Sequence, residues 1–395
     1  MIGLTDFGVA GGFSAGRGTL DADDYVRLAA ASRANPKDTA LLMRLAAAAL
    51  ALGRDADEEA ALGRLLKIEP RNLQALFQAA ELHRRRGEGG VAAAAYRTAL
   101  QCIPAGAELP ANLRPLVQAA RTVIDANNRA MEQFLGDRLA GLRARFAGEP
   151  LGRFDKALDT LLLKRRVYRP QPSFMYFPEV PPIEFYDRDL FPWLDGLEAA
   201  TGEIREELMA VMAEPEESLE PYMNLAGNVT GLWAELNNSR RWSAFHFWRE
   251  GAAFEANMAR CPKTMAALEA WPRCDIPGFA PTAMFSILEP RTRIPPHVGT
   301  NNARLVVHLP LVIPPRCGFR VGAETRPWIE GQAFVFDDTI EHEAWNNSDD
   351  WRAVLIVDIW NPHVTAAERE MVRALTDGVN AFYGDLPDYV RPQSR

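Results

Sequence analysis

The sequence predicts a multidomain α and β protein: helical repeats first, then an antiparallel β domain of the sandwich or double-stranded β-helix type. Three observations carry this. Ala- and Leu-rich helical patterning runs from near Asp21 to about Phe146. All nine Trp residues fall at or after Trp193, a shift in composition that marks a second, aromatic-rich core. From Ala283 onward, short apolar runs alternate with turn residues. At 395 residues, 48% hydrophobic and 24% charged, the chain is long enough for two or three soluble globular domains.

Residues 1–20 are Gly-rich without periodicity and read as a loose lead-in. Residues 21–150 read as a helical repeat domain. Pro36, Pro70 and Pro104 are spaced 34 residues apart, and Gly53 with Gly87, Ala60 with Ala94, Ala61 with Ala95 and Leu66 with Leu100 share that interval. Gly at an inter-helix turn, small residues in the second helix and Pro at its end resemble tetratricopeptide repeats; the plainer alternative is a generic stack of Ala-rich helical hairpins. Residues 151–220 read as a helical and Pro-rich connector, with Pro170, Pro172, Pro178, Pro181, Pro182 and Pro192 breaking regular structure. Helical patterning returns over Leu197–Met212.

Residues 221–395 read as the β domain. Trp242, Phe245, Phe247 and Trp248 suggest strands there. Candidate strands then follow at Met284–Leu288, Arg304–Ile313, Gly318–Val321, Ala333–Phe336, His342–Trp345 and Ala353–Trp360, a number and spacing that suit a cupin or jelly-roll arrangement. In the second of these, Leu305, Val307, Leu309 and Leu311 alternate with Arg304, Val306, His308 and Pro310, so one face packs and the other offers Arg and His to a cavity.

Composition excludes several roles. The net charge is −8, and the only dense basic runs are Arg84-Arg85-Arg86 and Lys164-Arg165-Arg166. Phosphate neutralisation needs a clustered basic face, so a nucleic-acid partner is not expected. Four scattered cysteines form no disulfide framework, although a Cys261–Cys274 pair is conceivable. No apolar stretch reaches membrane-spanning length and no signal peptide is evident, so no membrane span and a cytoplasmic location are expected.

Four of the six histidines lie between Ala283 and His363, and two have unusual neighbours: Pro295-Pro296-His297-Val298-Gly299 and Phe336-Asp337-Asp338-Thr339-Ile340-Glu341-His342. A His-x-Asp/Glu pair with a distant His is the facial triad of non-haem iron oxygenases. Here Gly299 stands where the carboxylate would be. On residue chemistry alone, His297 and His342 are either a weakened triad or two partly buried core histidines. Asp337 and Asp338 read as a polar turn rather than as spare ligands, Asp358 as a buried structural acid on an apolar strand, and Trp345 as packing beside the site. His246 has no assigned role, His363 reads as surface and His83 as part of the helical repeats.

The longer context, His297-x-Gly-x-x-Asn-x-Arg-Leu-x-x-His308-Leu-x-Leu, then Phe-Asp-Asp-x-x-Glu-His342-Glu-x-Trp-Asn and Ile-Val-Asp358-Ile-Trp-x-Pro362, resembles the aspartyl/asparaginyl β-hydroxylase family over roughly residues 242–369. The resemblance implies an Fe(II)- and 2-oxoglutarate-dependent dioxygenase consuming O2, with His297 and His342 as both the catalytic and the metal-binding residues. It implies that Ser286, eleven residues before His297, and Arg352, ten after His342, hold the distal carboxylate of 2-oxoglutarate, with His308 near its chelating end. Arg304 would receive the acidic side chain of a substrate, hydroxylated at Cβ of an Asp or Asn in a peptide or protein. Val306 departs from the family pattern, which has a second arginine there. Two alternatives are the same chemistry on a lipid acyl chain or small molecule, and a cupin-like scaffold that binds without turnover.

Overall fold

The computed structural model describes residues 21–104, 106–225 and 229–384; the stretch 1–20 lies outside them. The chain divides into two compact units, Met1–Leu162 and Leu163–Arg395.

The first unit is helical: α1 (Ala22–Ala34), α2 (Thr39–Ala51), α3 (Asp55–Ile68), α4 (Leu73–Arg85), α5 (Gly89–Gln101), the long α6 (Leu113–Arg145) and α7 (Gly152–Leu161). The starts of α2 and α4, and of α3 and α5, are each 34 residues apart, matching the interval of the Gly and Pro landmarks. Gly53 and Gly87 sit between the paired helices at φ +65° and +74°, which residues with a Cβ adopt only with strain. Asp38 and Asn72, again 34 apart, cap α2 and α4 through their side chains. Leu42, Leu45, Ala46, Ala61, Leu62 and Leu65 form one apolar seam, and Phe77, Ala80, Ala93, Tyr96 and Val117 form the next.

The second unit opens with an extended strap. Pro-rich and without regular structure, it survives by bonding to other backbone. Gln171 N–H donates to Thr339 O at 2.7 Å, Ser173 N–H to Gly299 O at 3.0 Å and Phe174 N–H to Thr300 O at 2.9 Å. The Asn302 side chain accepts from Phe177 N–H at 2.6 Å and donates to Phe177 O at 2.8 Å. The strap therefore binds the loops that follow His297 and precede His342. Beyond it, α8 (Leu194–Ala199) and α9 (Thr201–Met212) bury Leu194, Leu197, Ile204, Leu208 and Val211 in the core of the β domain, so this part of the expected connector is core structure. A single turn, α10 (Pro215–Ser218), follows.

The strands are β1 (Glu220–Pro221), β2 (Trp242–Arg249), β3 (Ala252–Ala253), β4 (Ala283–Leu288), β5 (Thr292–His297), β6 (Arg304–Val312), β7 (Cys317–Val321), β8 (Glu324–Arg326), β9 (Phe334–Phe336), β10 (His342–Asn346) and β11 (Arg352–Trp360). Two short helices, α11 (Glu255–Arg260) and α12 (Pro262–Ala267), sit between β3 and β4, and α13 (Ala366–Tyr383) follows β11. One sheet runs β1-β2-β4-β11-β6-β9 with β3 on β2; the other runs β5-β10-β7-β8. From β4 on, consecutive strands switch between the sheets except at the β7–β8 hairpin, so that β4-β11-β6-β9 faces β5-β10-β7-β8. That order is a double-stranded β-helix, an eight-stranded jelly roll. Every pair in both sheets is antiparallel.

The large sheet is apolar on its outer face and carries both apolar and polar side chains on its inner one. Phe245, Phe285, Ile287, Leu305, Val307, Leu309, Leu355 and Val357 face the helices. Trp242, Leu288, Val306, Phe336 and Val354 face the second sheet, which meets them with Phe319 and Ala344. All four cysteines are free thiols, Cys261 and Cys274 included. Among the described residues no helix is long and apolar enough to cross a membrane.

Candidate active site

A cavity of about 440 Å³ opens between the two sheets. Strand alternation decides which side chains line it. From the large sheet come Trp242 and His246 on β2, Met284 and Ser286 on β4, Arg304, Val306 and His308 on β6, and Arg352, Ile356 and Asp358 on β11. The small sheet contributes Ile294 and His297 on β5, Phe319 on β7, and His342 and Ala344 on β10. The inward face of β6 is the one its alternation predicts. All six sequence-predicted site residues line this one cavity.

His297 and His342 are direct cross-strand partners, and their ring centroids lie 4.0 Å apart. The Nδ1 of each is hydrogen-bonded to the carbonyl two residues before it, Pro295 O at 2.8 Å and Ile340 O at 3.1 Å. A carbonyl only accepts, so each Nδ1 carries the proton and each Nε2 keeps its lone pair, the tautomer that metal-ligating histidines adopt. Burial drives the pKa of His297 down to about 3, with His342 adding to the effect, and burial takes His342 to about 4. Both are neutral donors at pH 7. Trp233 meets His297 edge-on at 5.4 Å.

At Gly299 a Cβ would overlap the Asp338 carboxylate. The space a side chain at 299 would take is thus occupied by Asp338, from the loop before β10, and Gly is required for that close approach. Among the described residues, no three His, Cys, Asp or Glu side chains are grouped to hold a metal ion. Two neutral, oriented imidazoles with a carboxylate nearby suit a metal that keeps several open positions.

Arg352 is 2% exposed and stacks over Trp328 at 4.2 Å. Among the described residues no carboxylate lies within ion-pair distance of it, and its Nε has no hydrogen-bond partner. Burial pulls its pKa down to about 9, with no counter-ion to restore it. Ser286 lies beside it, one strand over. Its Oγ accepts from Trp242 Nε1 at 3.1 Å, which leaves its own O–H to donate. His308 faces the same space, its Nδ1 without a partner and its pKa held well below the usual value by burial and by Arg352. A cation, a hydroxyl and an imidazole thus converge where a carboxylate fits.

Arg304 differs. Its Nη1 donates to Asp358 Oδ1 at 2.5 Å and its Nη2 to Asp338 Oδ2. Burial acts to lower its pKa, and the two carboxylates outweigh that and raise it. Burial raises the pKa of both acids against the pull of Arg304.

Two expectations need correction. Trp345 does not pack beside the site: it points away from His342, lies over Gly318 and takes Arg293 at 6.0 Å on its outer side. Asp338 is not a turn residue alone. Asp337 makes the turn, its Oδ1 accepting from the N–H and O–H of Thr339, whereas Asp338 reaches into the cavity. Sequence alone does not show Trp328, in the loop after β8, beneath Arg352, or Trp242 as donor to Ser286, which follows from the pairing of β2 with β4.

Residues 198–362 match the family model described as Aspartyl/Asparaginyl beta-hydroxylase. This segment, less than half of the chain, is similar to the aspartyl/asparaginyl β-hydroxylase family. Within it, an ornithine lipid ester-linked acyl 2-hydroxylase of Rhizobium tropici is 37% identical over 185 residues, 46% of this chain and 61% of that protein. The aspartyl/asparaginyl beta-hydroxylase of Homo sapiens is 38% identical over 142 residues, 35% of this chain and 18% of the human protein. Aspartate beta-hydroxylase domain-containing protein 2 of Homo sapiens is 27% identical over 258 residues, covering 64% and 68%. The chain thus spans 61% of the Rhizobium relative's length and 18% of the human hydroxylase's.

Proposed function

We propose that this protein is an Fe(II)- and 2-oxoglutarate-dependent dioxygenase that hydroxylates Cβ of an Asp or Asn side chain in a peptide or protein. The observation that carries the reading is Arg352, a buried guanidinium without a counter-ion, in the same cavity as the His297–His342 pair. A permanent charge out of water is costly unless something pairs with it, and a dicarboxylate ligand answers that need.

With iron, 2-oxoglutarate and O2 bound, the chemistry supplied is oxidation of C–H to C–OH, 2-oxoglutarate leaving as succinate and CO2. The protein does the rest. His297 and His342 would hold the metal through Nε2, their Nδ1–H groups fixed on backbone carbonyls. Arg352 and Ser286 would bind the distal carboxylate of the co-substrate, and His308 would lie nearer its other end. Tyr222, Trp233 and Trp242 wall the cavity and exclude water. The hairpins of the first unit, read as tetratricopeptide-like, offer a surface for a peptide.

A second reading keeps the chemistry and places it on an acyl chain; the 37% identity to the Rhizobium acyl hydroxylase favours it. Localising an added oxygen by tandem mass spectrometry on peptide and lipid pools separates the two. The metal assignment is tested by Mn(II) titration. His297→Ala and His342→Ala should each weaken binding by more than the roughly 10–100-fold typical of losing an outer partner, and unchanged binding in either refutes it.

A further inference from the structure

The inner face of the large sheet carries a second buried charge, and it is already answered. Arg304 holds Asp358 and Asp338 at once. The Asp358 carboxylate also accepts from Thr282 N–H at 2.7 Å, and Asp338 is boxed in against Gly299. One cation between two carboxylates leaves a formal charge of −1. An incoming substrate carboxylate would meet two acids around one guanidinium whose two terminal nitrogens are both taken, or would have to displace one acid and leave it buried and unpaired. One acceptor, by contrast, is waiting: Asp338 Oδ1 is buried in the cavity wall without a hydrogen-bond partner, and Asp338 is 6% exposed.

We infer that the substrate end of this cavity takes an uncharged hydrogen-bond donor, a carboxamide being the simplest, and excludes a carboxylate. The inference rests on the hydroxylase reading for the purpose of the cavity, and narrows its Asp-or-Asn substrate to the Asn side. It also changes what Arg304 does. Arg304 does not receive an acidic side chain; it is a positioning residue that holds Asp338 with one oxygen turned to the ligand.

Two isosteric probes decide this, N-acetyl-asparagine N-methylamide and N-acetyl-aspartate N-methylamide, titrated into the full chain with Mn(II) and 2-oxoglutarate under argon. Trp233 and Trp242 line the cavity and report binding by their fluorescence. The asparagine probe should bind at least about tenfold more tightly at pH 7.5, since a buried acceptor left unpaired or faced by a like charge penalises the other. Asp358→Asn should shrink that ratio by freeing one arm of Arg304; its fold is checked by unchanged 2-oxoglutarate binding, and the wild-type comparison stands without it. Equal or tighter binding of the aspartate probe, binding of neither, or an unchanged ratio in Asp358→Asn overturns the inference. Decarboxylation of 2-oxoglutarate with iron, measured on the same preparation, reports on the hydroxylase reading separately. Selectivity without decarboxylation would sink that reading alone, and decarboxylation without selectivity would sink this inference alone.

Discussion

Arg352 and Arg304 occupy one face of one sheet, and both are buried. Arg352 sits at the start of β11 with an indole beneath it and no acid within reach. Arg304 begins β6 with an acid on each arm. The first has no acid in the fold to answer its charge, and the second has two. Burial alone therefore does not tell what an arginine is for; its inventory of partners does.

Removing a partner should separate the two most sharply. Asp358→Ala leaves Arg304 half-answered and should lower stability in urea by about 3–5 kcal/mol. Arg352→Met, similar in volume and without charge, should stay within about 1 kcal/mol of wild type or exceed it. If Arg352→Met proves as damaging as Asp358→Ala, the contrast between the two arginines is mistaken. Next in size is the ligand. Arg352→Ala should weaken 2-oxoglutarate binding by at least about 2 kcal/mol in a calorimetric titration of the metal-loaded protein. Arg352→Lys should recover only part of it, because an ammonium lacks the planar fork. Affinity unaffected by Arg352→Ala would place the co-substrate elsewhere.

The smallest effect concerns His246, the third kind of buried group on that face. Neither of its nitrogens has a hydrogen-bond partner, and the nearest charges are Glu220, 3.6 Å from Nε2, and Arg249. Burial, then Arg249, lowers its pKa to about 4. A histidine with a depressed folded pKa binds more protons when unfolded. Its contribution is therefore complete above the unfolded value of about 6.5 and is lost as pH falls toward 4, roughly 2 kcal/mol of it between pH 7 and pH 5. His246→Phe should flatten the pH dependence of stability by that amount; an identical slope in both proteins would show that the ring already finds a partner.

Much of this was legible in the sequence, for reasons that can be named. The 34-residue interval fixed the helix pairs because Gly53 and Gly87 mark turns that only permissive backbones make. Alternation along Arg304–Leu311 assigned its two faces because strand periodicity needs no tertiary knowledge. The strand Thr292–His297 was not legible. Pro295 and Pro296 argue against a strand, and they are tolerated because β5 is the edge of its sheet and its ladder with β10 is irregular between Ile294 and His297. The pairing of Arg304 with acids 34 and 54 positions away was equally hidden. It exists only because β6 and β11 are neighbours and the loop before β10 folds back over Gly299.

The Pro-rich strap has a consequence for modularity. The segment shared with the family begins at residue 198, yet residues 171–177 bind the loops that follow His297 and precede His342. What can be excised, shuffled or transplanted as a working piece is therefore longer than what descent marks out. A recombination point placed at the start of the shared segment would carry the histidines along and leave behind what holds their loops in place.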